Sequence, residues 1–431
     1  MEAQTVTETP PAPPPAERRS PSPGVWRAWL GSPFTISLAV CLALAALSAA
    51  VLPTVPSYDP WSWIVWGREV SDPHLSFAVG GGPSWKPLPF ILTTLFGLFG
   101  GAAPTLWVIA ARAGGLLGLV AAYRLGARLV AASSRWSRPP APEPGRSPQS
   151  AWALAAGLLG AIAVALTQDW FYYMFRGTSE PMLIAVSLWA VDRHLDGRRG
   201  SAFAFGVAAA LIRPEAWPLL LGYAVWLWVR EPRLRGLILL GLLAIPFFWF
   251  VPPWIGSGDP FLAASHAKAY DGHLGSDPFV TVVRRGVNLQ TLPVLILGLI
   301  AVAIAWFRGR DRLTLTLAGF ALAWWVIVVA MTLDGYPGLE RFYLPAAAVI
   351  CVLAGAGVVW IAQLAAGRVA GHVGAAGGHA AGADGARAED ADGNGGGKAV
   401  NLIHVRLVME AEKLAGIRGQ AFHIPALPLR V

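Results

Sequence analysis

The sequence is cut into long apolar blocks, beginning with Phe34 to Leu52, and several of them approach the ~20 residues that cross a bilayer. Within a block the apolar residues follow one another without the stripe of an amphipathic helix, so they require an apolar solvent on several sides. In lipid every backbone N–H and C=O must be paired inside the protein, and helices do this within one segment. The fold class that follows is all-α, a polytopic transmembrane helical bundle. Composition agrees: 55% of the 431 residues are hydrophobic and 13% charged, against about 25% charged in a soluble chain. No block has the layout of a cleaved signal peptide, so the first is read as an uncleaved helix.

The net charge of +8 raises the question of nucleic acid, but the arginines sit in short segments between apolar blocks. That placement is the positive-inside pattern of a membrane protein and argues for a bilayer rather than a nucleic acid as partner. Cys41 and Cys351 both fall inside apolar segments. They read as small buried hydrophobes, with no disulfide framework or zinc site.

Charge bias also orders the chain. Residues 1–33 read as a disordered cytoplasmic arm, rich in Pro, Glu, Ser and Thr. Arg18, Arg19 and Arg27 place the N-terminus inside. The membrane domain is expected over 34–366, with external loops near 53–86, 168–178, 252–287 and 333–341. Pro87–Phe99 is too short to cross comfortably, and the next block is followed by Arg124, Arg128, Arg135, Arg138 and Arg146. Pro87–Phe99 is therefore expected as an interfacial or re-entrant helix on the outer side. Residues 202–229 read as a hairpin of two short helices with Arg213-Pro214-Glu215 at its tip. The total is about ten crossings plus outer-face juxtamembrane or re-entrant helices, with both termini inside. Residues 367–431 read as a cytoplasmic low-complexity linker and short tail, with an amphipathic helix over 401–414.

Polar groups are costly at membrane depth, so those beside spans are the functional candidates. The first external loop holds Ser57-Tyr58-Asp59-Pro60-Trp61-Ser62-Trp63-Ile64-Val65-Trp66. Its tryptophans suit the headgroup layer, which predicts a helix lying on the outer surface. Asp59 stands a few residues after the first span, where a carboxylate can act as general base on a substrate held at the bilayer surface. Asp-Pro is equally a helix-start signal, Asp at the cap and Pro in the first turn, and it recurs at Asp72, Asp259 and Asp277. Both readings of Asp59 stand. Glu69 lies roughly 15 Å further along that helix, too far to share a tight site with Asp59, and reads as a solvated face or an acceptor contact. Lys86 follows a Gly/Pro-rich run and is either a point-charge partner for phosphate or a snorkelling lysine. Asp169, Arg176 and Glu180 form a further group, as do Arg213 and Glu215, for which a mutual ion pair is the plain reading. Arg341, in Glu340-Arg341-Phe342-Tyr343-Leu344-Pro345, can clamp a phosphate through its planar fork. His266 and His273 lack a metal-ligand partner at short spacing and read as loop residues.

In order, an acid after the first span, Lys86-Pro87-Leu88-Pro89 opening a short apolar helix, and Arg341-Phe342-Tyr343-Leu344-Pro345 entering a late span resemble the GT-C superfamily of membrane glycosyltransferases. The likeness is to the protein O-mannosyltransferase and lipid A aminoarabinose transferase branch and covers about residues 34–366. It implies a plasma-membrane enzyme that takes a sugar from a polyprenyl-phosphate donor at the outer face. The acceptor is a glycan, lipid or protein, and transfer is an inverting single displacement. It further implies Asp59 as base or acceptor-orienting group, Lys86 and Arg341 at the donor phosphate, and Glu180 as the acid at the outer end of a span. Glu69, Asp169, Arg176, Glu180, Arg213 and Glu215 remain substrate-binding candidates. No cofactor is expected; no metal cage is visible, and a divalent ion is left open. Two departures stand out: Pro60 replaces a second acid, and the family's Pro-Pro is Pro-Leu-Pro here. The competing class is a transporter, flippase or inactive scaffold. A transporter would show internal repeats and paired mid-span polar residues, whereas the polar groups here gather beside the spans.

Overall fold

The computed structural model describes residues 32–71, 83–133, 148–308 and 311–383. Most of the arm expected over 1–33, the Asp72-Pro73 pair, the glycine run Gly80–Gly82, and the tail with its helix over 401–414 lie outside the described residues. The chain divides into two units, Met1–Ala366 and Gly367–Val431. In the second, residues 367–383 are helical; everything below concerns the first.

Among the described residues every regular element is helical. In chain order they are α1 (Pro33–Val51), α2 (Tyr58–Ser71), α3 (Pro87–Gly97), α4 (Ala103–Ser133), α5 (Pro148–Ala165), α6 (Trp170–Phe175), α7 (Glu180–Leu195) and α8 (Arg199–Ala210). Then follow α9 (Trp217–Arg230), α10 (Arg235–Ser257), α11 (Leu262–Ala269), α12 (Pro278–Leu289), α13 (Leu292–Arg308), α14 (Arg312–Leu333) and α15 (Leu344–Ala383). Short 3-10 turns at Pro214–Ala216 and Glu340–Tyr343 introduce α9 and α15.

Five stretches are long and apolar enough to cross a membrane: Pro33–Val51, Gly100–Ala132, Pro232–Ser257, Arg312–Leu333 and Glu340–Ala366. The α12–α13 pair makes a sixth if its 88° bend is taken as one broken span. Leu42, Leu44 and Leu47 on α1 and Leu239, Leu240 and Leu243 on α10 all face outward. Soluble proteins rarely expose apolar patches above a few hundred Å², so leucine faces repeated over several helices belong in lipid. The chain has the build of a polytopic helical membrane protein.

The helix starts follow from local chemistry. Ser32 accepts the Thr35 N–H ahead of Pro33, and Asp277 accepts the Val280 N–H at 3.0 Å ahead of Pro278. The Asp-Pro pair at 277 is thus a true cap. The helix α10 runs on through Pro252 and Pro253 to Ser257, past the loop boundary expected at 252, because neighbouring groups in a bundle re-satisfy a proline-broken ladder. The expected external stretch 252–287 then contains two helices, α11 and most of α12.

The expectation for α2 needs correction. Trp63, Ile64 and Trp66 are almost completely buried, and of the three tryptophans of α2 only Trp61 reaches the surface. Positions 63, 64, 66 and 67 share one face, and that face packs on other helices instead of the headgroup layer. Trp63 donates to the Ser84 carbonyl at 2.7 Å and meets Trp107 edge to face. Gly67 lets the α3 backbone approach so closely that an added Cβ would lie 2.6 Å from the Thr93 carbonyl carbon. A second close crossing joins α5 and α15: a Cβ at Gly355 would sit 2.6 Å from Gly160 N and 2.7 Å from Ala156 O. Both obstacles are backbone, so Gly355→Ala must part the helices. Small residues at membrane helix crossings admit such approach, and we expect this variant to lose about 1–3 kcal/mol of stability in equilibrium unfolding from mixed micelles. A loss near zero would mean that α5 and α15 slide past one another freely.

Charge is sorted to the two ends of the bundle. On α7, Glu180 lies in the first turn and Asp192 and Arg193 in the last, roughly 18 Å apart along the axis. At that far end Arg124 and Arg128 from α4 meet Asp192 and Asp196, while Arg193, nearly fully buried, contacts both carboxylates at 2.6 and 2.9 Å. The basic loop expected from Arg193 thus begins as a buried, internally paired helix end. The other end of α7 carries the site.

Candidate functional site

Four segments bring their charges together at the Glu180 end. Lys86 is held in an extended conformation just before α3, since the following proline disfavours helical geometry there. Its side chain turns inward rather than snorkelling. It is 3% exposed, donates to Ser179 Oγ at 2.6 Å, reaches Glu180 Oε1 at 3.3 Å and lies 5.3 Å over the Trp63 ring. Arg213 comes from the turn between α8 and α9, where the expected short hairpin is found, and donates from Nη2 to the same oxygen at 2.6 Å. Arg341 comes from the 3-10 turn before α15 and places its Nε 3.9 Å from Glu180 Oε1. One carboxylate oxygen therefore faces three cations from three separate segments. Glu180 itself is completely buried, and its position in the first turn of α7 adds the favourable field of a helix N-terminus.

Asp59 sits in the first turn of α2, and its two oxygens have different tasks. Oδ1 accepts the Ser84 N–H at 3.2 Å, and Oδ2 faces Arg341 Nη2 at 3.8 Å. The first bond ties α2 to the segment carrying Lys86; the second joins the acid to the cationic cluster. Arg213 contacts Glu215 at only 3.5 Å. The pair expected from the sequence is present, and Arg213 has a second, shorter bond to Glu180.

These groups border one cavity of about 690 Å³. Asp59, Lys86, Arg213, Glu215 and Arg341 all line it, together with Tyr173, Trp85, Trp217, Trp249 and Phe342. Glu180 is not part of the lining; it lies behind the cations and sets their positions. Two buried guanidinium donors, Arg213 Nε and Arg341 Nε, have no hydrogen-bond acceptor among the described residues. Buried donors are nearly always satisfied in native proteins, so unspent donors beside a cavity indicate room for a further acceptor.

The electrostatics of the site follow from burial. Desolvation pulls the Lys86 ammonium down to about 8, and Glu180 opposes that fall without cancelling it. Burial, reinforced by Glu180, pushes the Tyr173 phenol up to about 12, so it remains a neutral donor near neutral pH.

Besides Glu180, three sequence candidates stay outside the cavity lining: Asp169, Arg176 and Glu69. Asp169 adopts a left-handed conformation (φ 59°) at the turn into α6 and makes no side-chain cap bond, a backbone role that aspartate tolerates better than most residues. Arg176 contributes its carbonyl, which accepts the Ser57 N–H at 2.9 Å. Glu69 is on the later turns of α2, away from the lining. Conversely, Tyr173, Ser179 and His266 gave no sequence signal that distinguished them. His266 was expected as a plain loop residue, yet α11 carries it to the cavity wall. Among the described residues no group of three or more His, Cys, Asp or Glu side chains is arranged to hold a metal ion. No family model, curated protein or solved structure matches the chain.

Proposed function

We propose that this protein is a GT-C-type membrane glycosyltransferase. It transfers a sugar from a polyprenyl-phosphate donor to an acceptor at the outer face of the plasma membrane. The observation that carries the reading is the convergence of Lys86, Arg213 and Arg341 on one cavity that also holds Asp59. Displacement at an anomeric carbon breaks the bond to the phosphate oxygen while the acceptor oxygen forms the new one. Negative charge grows on the departing phosphate, where the three cations gathered around Glu180 stabilise it. The acceptor hydroxyl must lose its proton, and Asp59 is the carboxylate placed to take it. Attack opposite the leaving phosphate inverts the anomeric centre. The aromatic lining offers flat apolar surfaces for a sugar ring.

The finer topology belongs to the same reading. α1, α4, α5, α7, α8, α9, α10, α13, α14 and α15 make ten crossings, and α2, α3, α6, α11 and α12 lie on the outer side. Both termini are then cytoplasmic. The arginine-rich end of α4 and α7 supports this orientation, since basic residues favour the cytoplasmic side.

The test uses purified protein in lipid nanodiscs, with binding and turnover of polyprenyl-phosphate sugars followed against pH. Lys86 is charged below about 8, so kcat/KM should be level near neutral pH, where Asp59 is a carboxylate and Lys86 an ammonium, and fall as pH rises through about 8. Lys86→Arg should carry the falling limb to higher pH. Folding stability should move the opposite way. Between about 8 and the ordinary 10.5 the unfolded chain holds a proton that the folded chain has released, so Lys86 makes stability rise with pH in that window. A flat rate profile would remove Lys86 from the phosphate, and a well-folded protein that binds no such donor would end the glycosyltransferase reading.

A further inference from the structure

Arg285, on α12, lies outside the cavity yet joins two of its walls. Its Nη1 donates to the carbonyls of Pro337 and Gly338 at 3.2 and 3.1 Å. Its Nη2 donates to the carbonyls of Gly272 and His273 at 2.8 and 3.4 Å. Its Nε stands 3.1 Å from Glu340 Oε1. One planar guanidinium thus holds the 270–273 segment, the 337–338 backbone and the side chain immediately before Arg341. A lysine ammonium has three donors and no fixed fork, and cannot reproduce that set.

The two segments also touch directly. A Cβ built on Gly272 would collide with the Pro337 carbonyl oxygen, so their backbones are in contact. Tyr270 from the first segment, and Tyr336, Leu339, Glu340 and Arg341 from the second, line the cavity. Arg341 is 28% exposed at its side chain and approaches Glu180 and Asp59 only at 3.9 and 3.8 Å. Those contacts are too long to fix a flexible side chain by themselves.

We infer that Arg285 is a positioning residue for the anion site. By stapling the 270–273 and 337–340 segments it holds Arg341 at the cavity, and through Arg341 it sets affinity for a phosphate. The inference deepens the proposed function and rests on it where phosphate binding is concerned; the staple itself does not.

Full-length protein in nanodiscs carries the test, with a sugar-free polyprenyl monophosphate as probe and quenching of tryptophan fluorescence as readout, since Trp85, Trp217 and Trp249 line the cavity. Arg285→Ala should weaken binding about tenfold, and the Arg285→Ala/Arg341→Ala double variant should bind no more weakly than Arg341→Ala alone. Arg285→Lys, which keeps the charge, should fall between wild type and alanine. Losses that add in the double variant, or wild-type affinity in Arg285→Ala, would overturn the inference. Hydrogen exchange supplies the second measurement. In both Arg285→Ala and Gly272→Ala, amides over 270–274 and 335–340 should exchange faster together, with α4 unchanged. Independent or unaltered exchange in the two segments would refute the staple. If wild-type protein bound no monophosphate, the glycosyltransferase reading would fall, and the exchange result would still decide the role of Arg285.

Discussion

Glu180→Gln should lower the unfolding free energy by about 3–5 kcal/mol, the cost of stripping a buried charge from its partners. The substitution keeps the shape of the side chain, removes the charge and replaces one acceptor oxygen with an NH2 donor. Lys86 and Arg213, both almost wholly buried, would then face each other and Arg341 across an amide. Among the described residues their shared oxygen, Oε1, is the only carboxylate atom within hydrogen-bonding distance of Lys86 and the closest to Arg213. Asp59 and Glu215 are poor substitutes, the first committed to Ser84 and Arg341, the second 3.5 Å from Arg213. Glu215→Gln provides the internal contrast: it is equally buried but weakly paired, so its loss should not exceed about 1 kcal/mol. Equilibrium unfolding of both variants in mixed micelles makes the comparison. Equal losses would mean that the two carboxylates share the cations evenly, and a small loss in both would mean that water reaches and screens the cluster.

The same residues show what was legible in the sequence. Spans such as α1, α10 and α14 announce themselves because bilayer thickness sets a length and lipid forbids charge within it. The short hairpin around Arg213-Pro214-Glu215 was legible because arginines at both flanks require the chain to return. Direction was harder to read. Tryptophan suits both a headgroup layer and a helix crossing, and it is the glycine at position 67, admitting α3, that sends Trp63 and Trp66 inward. Lys86 looks like any lysine at a helix end until α7 supplies Ser179 and Glu180 some ninety residues later. Glu180 is no plainer in the sequence for the same reason, since its three partners are distant and converge only in the folded chain. Arg285 left no pattern at all: four of its five contacts are backbone carbonyls, which any residue provides.

Under the proposed function, Asp59→Asn should reduce sugar transfer by about 10²–10⁴-fold, the usual contribution of a positioned general base, while leaving donor binding within a few-fold of wild type. Asparagine retains an oxygen that can accept the Ser84 N–H, so the tie between α2 and the Lys86 segment survives. What disappears is the basic oxygen at the cavity and the charge opposite Arg341, 3.8 Å away. Donor affinity and rate must therefore be measured separately, because the two roles of Asp59 predict different patterns. A base lost from the chemical step lowers kcat and leaves the dissociation constant of the polyprenyl-phosphate sugar in place. A partner lost from Arg341 frees that guanidinium for the phosphate and should tighten donor binding, with little change in turnover. Unchanged rate and affinity would reduce Asp59 to a tie for the Ser84 backbone. The search for a base would then pass to Glu215, a buried carboxylate on the cavity wall, whose Oε2 has no hydrogen-bond partner among the described residues.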